Sequence, residues 1–411
     1  MGAGVLRVYQ EDWFPFRSLP AALREFTERT GIRTELAWDV VGVGTIEHMF
    51  DKMVASFTDE EPAFDVVCCD EIILRHMATE GGVLDLAPRM RADGITLDHV
   101  TPATVDAVTL GDTVLGLPCV NVCSMLLCRR DYLERYGLPI PASWQELREV
   151  ARTLQEAVRR DEQREFYGFE TRGAPGGGHA VWSVGSFTGS FGARWIDPDG
   201  TAARCDEAHR AALETYIGLI REVCPPDQAS ISFVEMRRDY AAGRVAIIMD
   251  VGMEYGHIIS RGGALADASV VAMVPAGPAG RAPNLYCPAW AIPARTDMPG
   301  EAWELVKFLT SDARLERDGL DSDAVETSSL RVLYGSAFDR HFRPDLLTTV
   351  RASRAVAREE RPFGTFGMAG CEVVGDTVTD LITGKETLDS ALRRIETALA
   401  ALAGGGGGSR A

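Results

Sequence analysis

The sequence predicts an α/β protein built as two lobes, each a mostly parallel sheet flanked by helices. Two observations carry this expectation. The amino-terminal third alternates short apolar runs with segments of helical period, the pattern of strand–helix–strand units with helices on both faces of a sheet. The chain has 411 residues, 46% of them hydrophobic, and beyond roughly 250–300 residues chains split into domains with separate cores.

The elements follow in order. "VLRVYQ", from Val5 to Gln10, reads as a short strand. Leu19, Leu23 and Phe26 then recur at helical spacing with Gly31 as the stop, and "RTELAW" is the second strand. "TIEHMFDKMVASF" is a helix with Ile46, Met49, Phe50 and Met53 on one face. "AFDVVCCD", Ala63 to Asp70, is a buried strand followed by a helix that reaches Gly81-Gly82. Further on, Asp197-Pro198-Asp199-Gly200 reads as a hairpin turn before a helix capped near Asp206. A calcium loop is the alternative for those aspartates, but the downstream ligands and bidentate Glu are missing at EF-hand spacing. "MRRDYAAGRVAIIMDVG" is a helix, a Gly turn and a buried strand ending at Asp250. "AWELVKFLTSDARLERDG" and "DLITGKETLDSALRRIETALA" are amphipathic helices, and "GGGGGSRA", 404–411, is a flexible linker or appended tail.

Charge and composition exclude several classes. With 60 acidic against 42 basic residues and a net charge of −18, the chain lacks the basic footprint that nucleic acid or an anionic membrane surface requires. No apolar stretch reaches the ~18–20 residues of a membrane span. The amino end moves straight into a strand with no leader, which suits a cytoplasmic protein or a secreted one whose leader has been removed. The nine cysteines form no CxxC pair and mostly sit in apolar runs, where a free Cys behaves as a small hydrophobe. Cys205 and Cys224 are the one pair placed for a bridge in an oxidising compartment.

Catalytic motifs are missing too. There is no GxSxG elbow, Walker loop or HExxH, and Gly42-Val-Gly44 lacks the third glycine of a dinucleotide fingerprint. The seven histidines never fall at metal-ligand spacing. No cofactor, no metal and no enzymatic activity are expected.

The segment Asp112–Leu154 carries a different signal. It contains Leu115-Gly116-Leu117-Pro118, Arg130-Asp131, Tyr136-Gly137-Leu138 and Ser143-Trp144-Gln145-Glu146-Leu147. Pro118 stiffens a crossing strand, Gly137 ends a helix, and Ser143 with Glu146 makes a capping box. This order resembles the lobe-crossing stretch of extracellular solute-binding proteins of family 1, the carbohydrate-type receptors of ABC importers. "FDVVCCDEIILRHMATEGGVLDLAP", "AAGRVAIIMDVG", "AWAIPARTDMPGEAWELVKFLTSDA" and "DLITGKETLDSALRRIETAL" resemble further family segments in the family's order.

The resemblance implies a type II periplasmic-binding-protein-like fold with a hinge and an interlobe ligand cleft. Its expected lobes are 1–117 with 273–312, and 118–272 with 313–403. It implies a monomer, periplasmic or extracellular and lipid-anchored, that delivers a sugar, oligosaccharide or polyol to the transmembrane subunits of a permease. The cysteines of the crossing segment become packing residues.

Sugars suit aromatic faces flanked by carboxylates and amides. The strand ends offer Glu11, Asp12 and Trp13; Asp70 and Glu71; Asn121; Trp182; Asp250 and Tyr255; and Trp290. Each has a second reading. Asp70 and Glu71 can cap the following helix, Asp250 can be a hinge-side acceptor and Glu11 a solvated acid, while Trp195 reads as a core residue and Trp144 as packing at a helix start. Tyr286-Cys287-Pro288 and Met253-Glu254-Tyr255 depart from the family's usual paired glycines and Trp, which leaves the ligand open. Two other readings remain: a ligand sensor of the same fold, and a glycosidase-type enzyme with paired carboxylates.

Overall fold

The structure, a computed structural model, describes residues 4–40, 46–197, 201–202, 204–260 and 262–405. The Gly42-x-Gly44 pattern, the centre of the Asp197–Gly200 turn and the tail from 406 onward lie outside the described residues. Beside that turn, Ile196 and Ala202 pair antiparallel and the Asp197 N–H donates to Thr201 O at 2.9 Å. Residues 404 and 405, expected in the tail, instead close the helix Leu388–Gly405.

The chain divides into two compact units. One is Met1–Val122 with Tyr286–Arg343, the other Cys123–Leu285 with Pro344–Ala411. These boundaries differ from the expected 1–117 with 273–312. The strand Ser269–Met273 is hydrogen-bonded along the strand Val122–Arg129, which holds the segment up to Leu285 in the second unit. The helix Asp312–Ser322 and the chain after it as far as Arg343 stay with the first, where Thr327 bridges Val120 and the Ser328 hydroxyl donates to Pro118 O at 2.8 Å.

The first unit's sheet has the order Arg33–Val40, Val5–Asp12, Val66–Cys69, Ala289–Ala291, Leu117–Pro118. Its first three strands are parallel, and Ala289–Ala291 lies antiparallel to both of its neighbours. Leu19, Leu23 and Phe26 are buried as their spacing predicts, and the helix Leu19–Thr30 ends on Gly31 at φ 77°. Met49 and Met53 are buried on the helix Ile46–Thr58.

The second unit's sheet runs Ser269–Met273, Val122–Arg129, Val245–Val251, Tyr167–Thr171. Here the expected mostly parallel sheet is corrected. Tyr167–Thr171 and Val245–Val251 are parallel, but Val122–Arg129 is antiparallel to both strands beside it. The reason is the route of the chain. A strand that follows a helical crossover enters parallel, whereas Val122–Arg129 and Ala289–Ala291 each follow a passage of the chain from one unit to the other.

The crossing segment keeps its predicted local structure. Cys119, Cys123 and Cys128 are buried, and none of the nine cysteines is in a disulfide, Cys205 and Cys224 included. Gly137 sits at φ 65° after the helix Arg130–Arg135. The Ser143 hydroxyl accepts from Glu146 N–H at 3.2 Å, and the Glu146 carboxylate accepts from Ala142 N–H at 2.7 Å, one residue earlier than a strict capping box. This cap opens the 19-residue helix Trp144–Glu162. Ser143→Ala is expected to cost about 1 kcal/mol and Ser143→Gly only a few tenths. Urea denaturation of the two variants checks the order.

Candidate functional site

In the first unit, the carboxyl ends of the parallel strands Val5–Asp12 and Val66–Cys69 lie side by side. Their exits carry Glu11 and Trp13, half-buried, and Asp70 and Glu71, fully buried. The Asp70 side chain caps the helix Glu71–Thr79 by accepting from Ile72 N–H at 2.7 Å. Glu71 Oε2 accepts from Cys287 N–H at 3.1 Å. The Trp13 ring lies 6.2 Å from Tyr286 and 6.3 Å from Phe16. Burial raises the Tyr286 phenol pKa well above its usual value, and Glu11, Asp70 and Glu71 raise it further. Those three carboxylates therefore lie within electrostatic reach of one phenol, beside an indole.

In the second unit, Arg172 directly follows the strand Tyr167–Thr171. Its Nε donates to Asp250 Oδ1 at 2.9 Å, its Nη2 to the same oxygen, and its Nη1 to Gly178 O at 2.9 Å. The guanidinium stands 5.5 Å from the Trp182 ring centre and 5.1 Å from that of Phe233. Arg361 lies 5.8 Å from Trp182 and is itself paired with Glu359 through Nε at 2.9 Å and Nη2 at 2.6 Å. Trp182 is thus a cation–π partner of two neutralised guanidinium groups. His179 is pushed down to about 4, first by burial and then by the Arg172 charge, so its imidazole is neutral at physiological pH.

Not every predicted residue joins these clusters. Asp12 is the exposed last residue of its strand. Asn121 is buried, donates through Nδ2 to Thr104 Oγ1, and has an Oδ1 without a partner among the described residues. Tyr255, expected at the ligand, is fully buried on the helix Gly252–Ser260 with its hydroxyl 3.3 Å from Met125 O and 3.4 Å from Ile248 O, so it ties that helix to two strands of the second unit's sheet. Trp290 is 2% exposed in the middle of the strand Ala289–Ala291, edge-on to Phe16 at 6.2 Å, which is a core placement. The side chains of Met253 and Glu254 lie outside the described residues.

Tyr286, Arg172 and Arg361 were missed. Tyr286 was legible as a departure from the family pattern. A search of strand ends confined to aromatic and acidic residues passes over Arg172, although it stands at a strand end. Arg361 lies far along the chain in a loop, and no local signal places it beside Trp182.

Each α/β unit thus carries an aromatic ring set among fixed charges at strand ends. The chain belongs to the family of bacterial extracellular solute-binding proteins, whose model matches residues 16–314. It is 27% identical over 286 residues to the mannitol-binding protein of Pseudomonas aeruginosa, a match covering 62% of this chain and 64% of that protein. The chain therefore spans a little less than two thirds of that relative's length. The maltose-bound MalE3 of T. maritima superposes with a TM-score of 0.85 at 22% identity, over 97% of this chain and 99% of that one. An ABC transporter solute-binding protein of Agrobacterium vitis S4 with bound D-mannitol gives 0.78 at 18% identity, over 96% and 97%. The fold is the type II periplasmic-binding-protein fold. No described helix is long and apolar enough to cross a membrane.

Proposed function

We propose that this protein is the solute receptor of an ABC importer, capturing a sugar or polyol and handing it to a membrane permease without chemical change. It acts as a monomer outside the cytoplasmic membrane, held there by a lipid anchor of its precursor. The observation that carries this reading is the second unit's Trp182, an indole beside an Arg172–Asp250 ion pair. An aromatic face next to fixed donors and acceptors matches a molecule that is apolar along its C–H groups and polar along its hydroxyls. The first unit's Trp13, Tyr286 and carboxylates repeat that chemistry. The names of the relatives, which speak of mannitol and maltose, point to the same solute class. Binding then acts through differential affinity for one conformation of the protein.

A thermal-shift screen against monosaccharides, disaccharides and linear polyols tests it. A solute at 100 times its Kd adds about 2.7 kcal/mol of stability, and Trp182→Ala is expected to abolish the shift. Because Trp182 is itself buried, the circular-dichroism spectrum of Trp182→Ala must match that of the wild-type protein for the lost shift to count. Chromatography of the solute after incubation is expected to return it intact. Cleavage would favour an enzyme, and no shift with any member would overturn the reading.

A further inference from the structure

Trp182 and Arg361 meet at 5.8 Å although they are far apart in the chain, and one amide holds the backbone beside both. Asn284, fully buried, donates through Nδ2 to Trp182 O at 3.1 Å. Its Oδ1 accepts at 2.9 Å from the N–H of Glu360, the residue before Arg361. The backbone of Asn284 is anchored as well: its N–H donates to Ser186 Oγ at 3.3 Å, and its carbonyl accepts from Ser124 N–H at 3.0 Å. A bridge between Asn284 and Arg358 aligns the two segments that carry Asn284 and Glu360. The helix Ala180–Ser190 makes room for this group. Trp182, Gly185, Ser186 and Gly189 recur at helical spacing and share one face. A Cβ on Gly185 would stand 2.9 Å from Asn284 Nδ2, and one on Gly189 would overlap the Glu360 carboxyl group, which is paired with Arg358. Glycine inside a helix is less stable than alanine, so these two positions lose helix stability where Asn284 and Glu360 need space.

We propose that Asn284 is the positioning residue of the second unit's recognition cluster: it fixes how the Trp182 indole and the Arg361 guanidinium face each other, and so sets solute affinity from outside the contact. The indole is held on one side by Arg172, itself fixed by Asp250. Asn284 supplies the restraint on the other side. The task needs a donor and an acceptor on one short planar group, which an asparagine has. Aspartate lacks the donor for Trp182 O, and alanine lacks both. A binding group works only when its own pose is locked by the residues behind it, and Asn284 locks two at once. The inference rests on the proposed receptor reading, in which Trp182 meets the solute.

The test is calorimetric titration of the intact protein with D-mannitol, ribitol and maltose. Asn284→Ala is expected to weaken binding of whichever solute the wild-type protein takes by roughly 10-fold, the scale of one or two lost hydrogen bonds. Gly189→Ala alters neither Asn284 nor Trp182. Its Cβ meets the end of the Glu360 side chain, which can swing aside, so the expected result is a similar weakening with the circular-dichroism spectrum and Tm close to wild type. Combining each substitution with Trp182→Phe separates positioning from packing. If Asn284 acts through the indole, the combined loss is several-fold smaller than the product of the single losses. A merely structural role would give losses that multiply. Multiplying losses, or wild-type affinity in Asn284→Ala or Gly189→Ala, would overturn the assignment and leave the receptor reading standing. If Asn284→Ala does not fold, Gly189→Ala carries the same comparison. Failure of the wild-type protein to bind any of the three solutes would overturn the receptor reading and this inference with it.

Discussion

Replacing Glu170 with Gln is expected to stabilise the second unit at pH 8 and to flatten the dependence of its stability on pH. Glu170 lies in the strand Tyr167–Thr171, is fully buried, and has neither carboxylate oxygen hydrogen-bonded among the described residues. Burial, and after it the Asp239 charge, push its carboxyl up to about 9. Arg244 opposes this, but its guanidinium is shared with Asp227 and Asp239. Cys224 also lies within reach of Glu170, and Arg238 opposes the shift weakly.

The folded protein therefore keeps a proton that the unfolded chain releases above pH ~4.5. Between those values the native state binds more protons, so stability falls as pH rises, by about 1.4 kcal/mol per pH unit. Two other groups titrate lower. Glu360, raised to about 7 chiefly by burial, acts in the same direction up to that pH. His179, lowered to about 4, acts oppositely below pH ~6.5, where the unfolded chain takes the proton first. The thiols of Cys68, Cys69, Cys128, Cys205 and Cys224, all raised by burial, add a slope of the same sign to both proteins towards pH 8.5. The difference in slope between wild-type protein and Glu170→Gln in urea denaturation at pH 7.0, 7.75 and 8.5 therefore isolates Glu170. Identical slopes for wild-type protein and Glu170→Gln would dismiss the assignment.

Gly168→Ala is expected to be the most damaging single methyl in the second unit. A Cβ on Gly168 would stand 2.0 Å from Ala151 O and 2.4 Å from its carbonyl carbon, on the helix Trp144–Glu162. Both obstacles are backbone, so neither can rotate away, and strand and helix must separate. The expected loss is at least about 3 kcal/mol, the upper range of overpacking costs. That corresponds to a fall in Tm on the order of 6–12 °C for a unit of this size. Gly300→Ala is the control, since its Cβ meets nothing within 4 Å and the residue lies in the helix Pro299–Leu309. Equal melting of the two variants would contradict this account of the packing.

Much of the fold was legible because its signals are local. Gly31 and Gly137 were read as stops and sit at φ 77° and 65°. Ser143 and Asp206 were read as caps and are caps. Leu19, Leu23 and Phe26 were read as one buried face and are buried. The first unit's parallel core follows from strand–helix alternation for the same reason. The antiparallel entries of Val122–Arg129 and Ala289–Ala291 were not legible, because a strand's direction relative to a distant neighbour is written nowhere in its own residues.

The site was legible as a set of residue types and not as an arrangement. Asp70 and Asp250 were both named as candidates, yet one closes a helix end and the other holds a guanidinium. Trp182 and Trp290 are the same residue type at similar burial, but Trp182 faces two arginines while Trp290 fills a sheet core.

By itself the sequence determined the α/β class, the helix ends, the buried faces and the order of family motifs, since periodicity and capping act over a few residues. The tertiary structure alone decided where each unit begins and ends, which strands run antiparallel, and that Arg172, Asp250, Trp182 and Arg361 meet. Those partners are separated by up to 189 residues (361 − 172), and what joins them is burial and charge pairing, which depend on distance in space and leave no period along the chain.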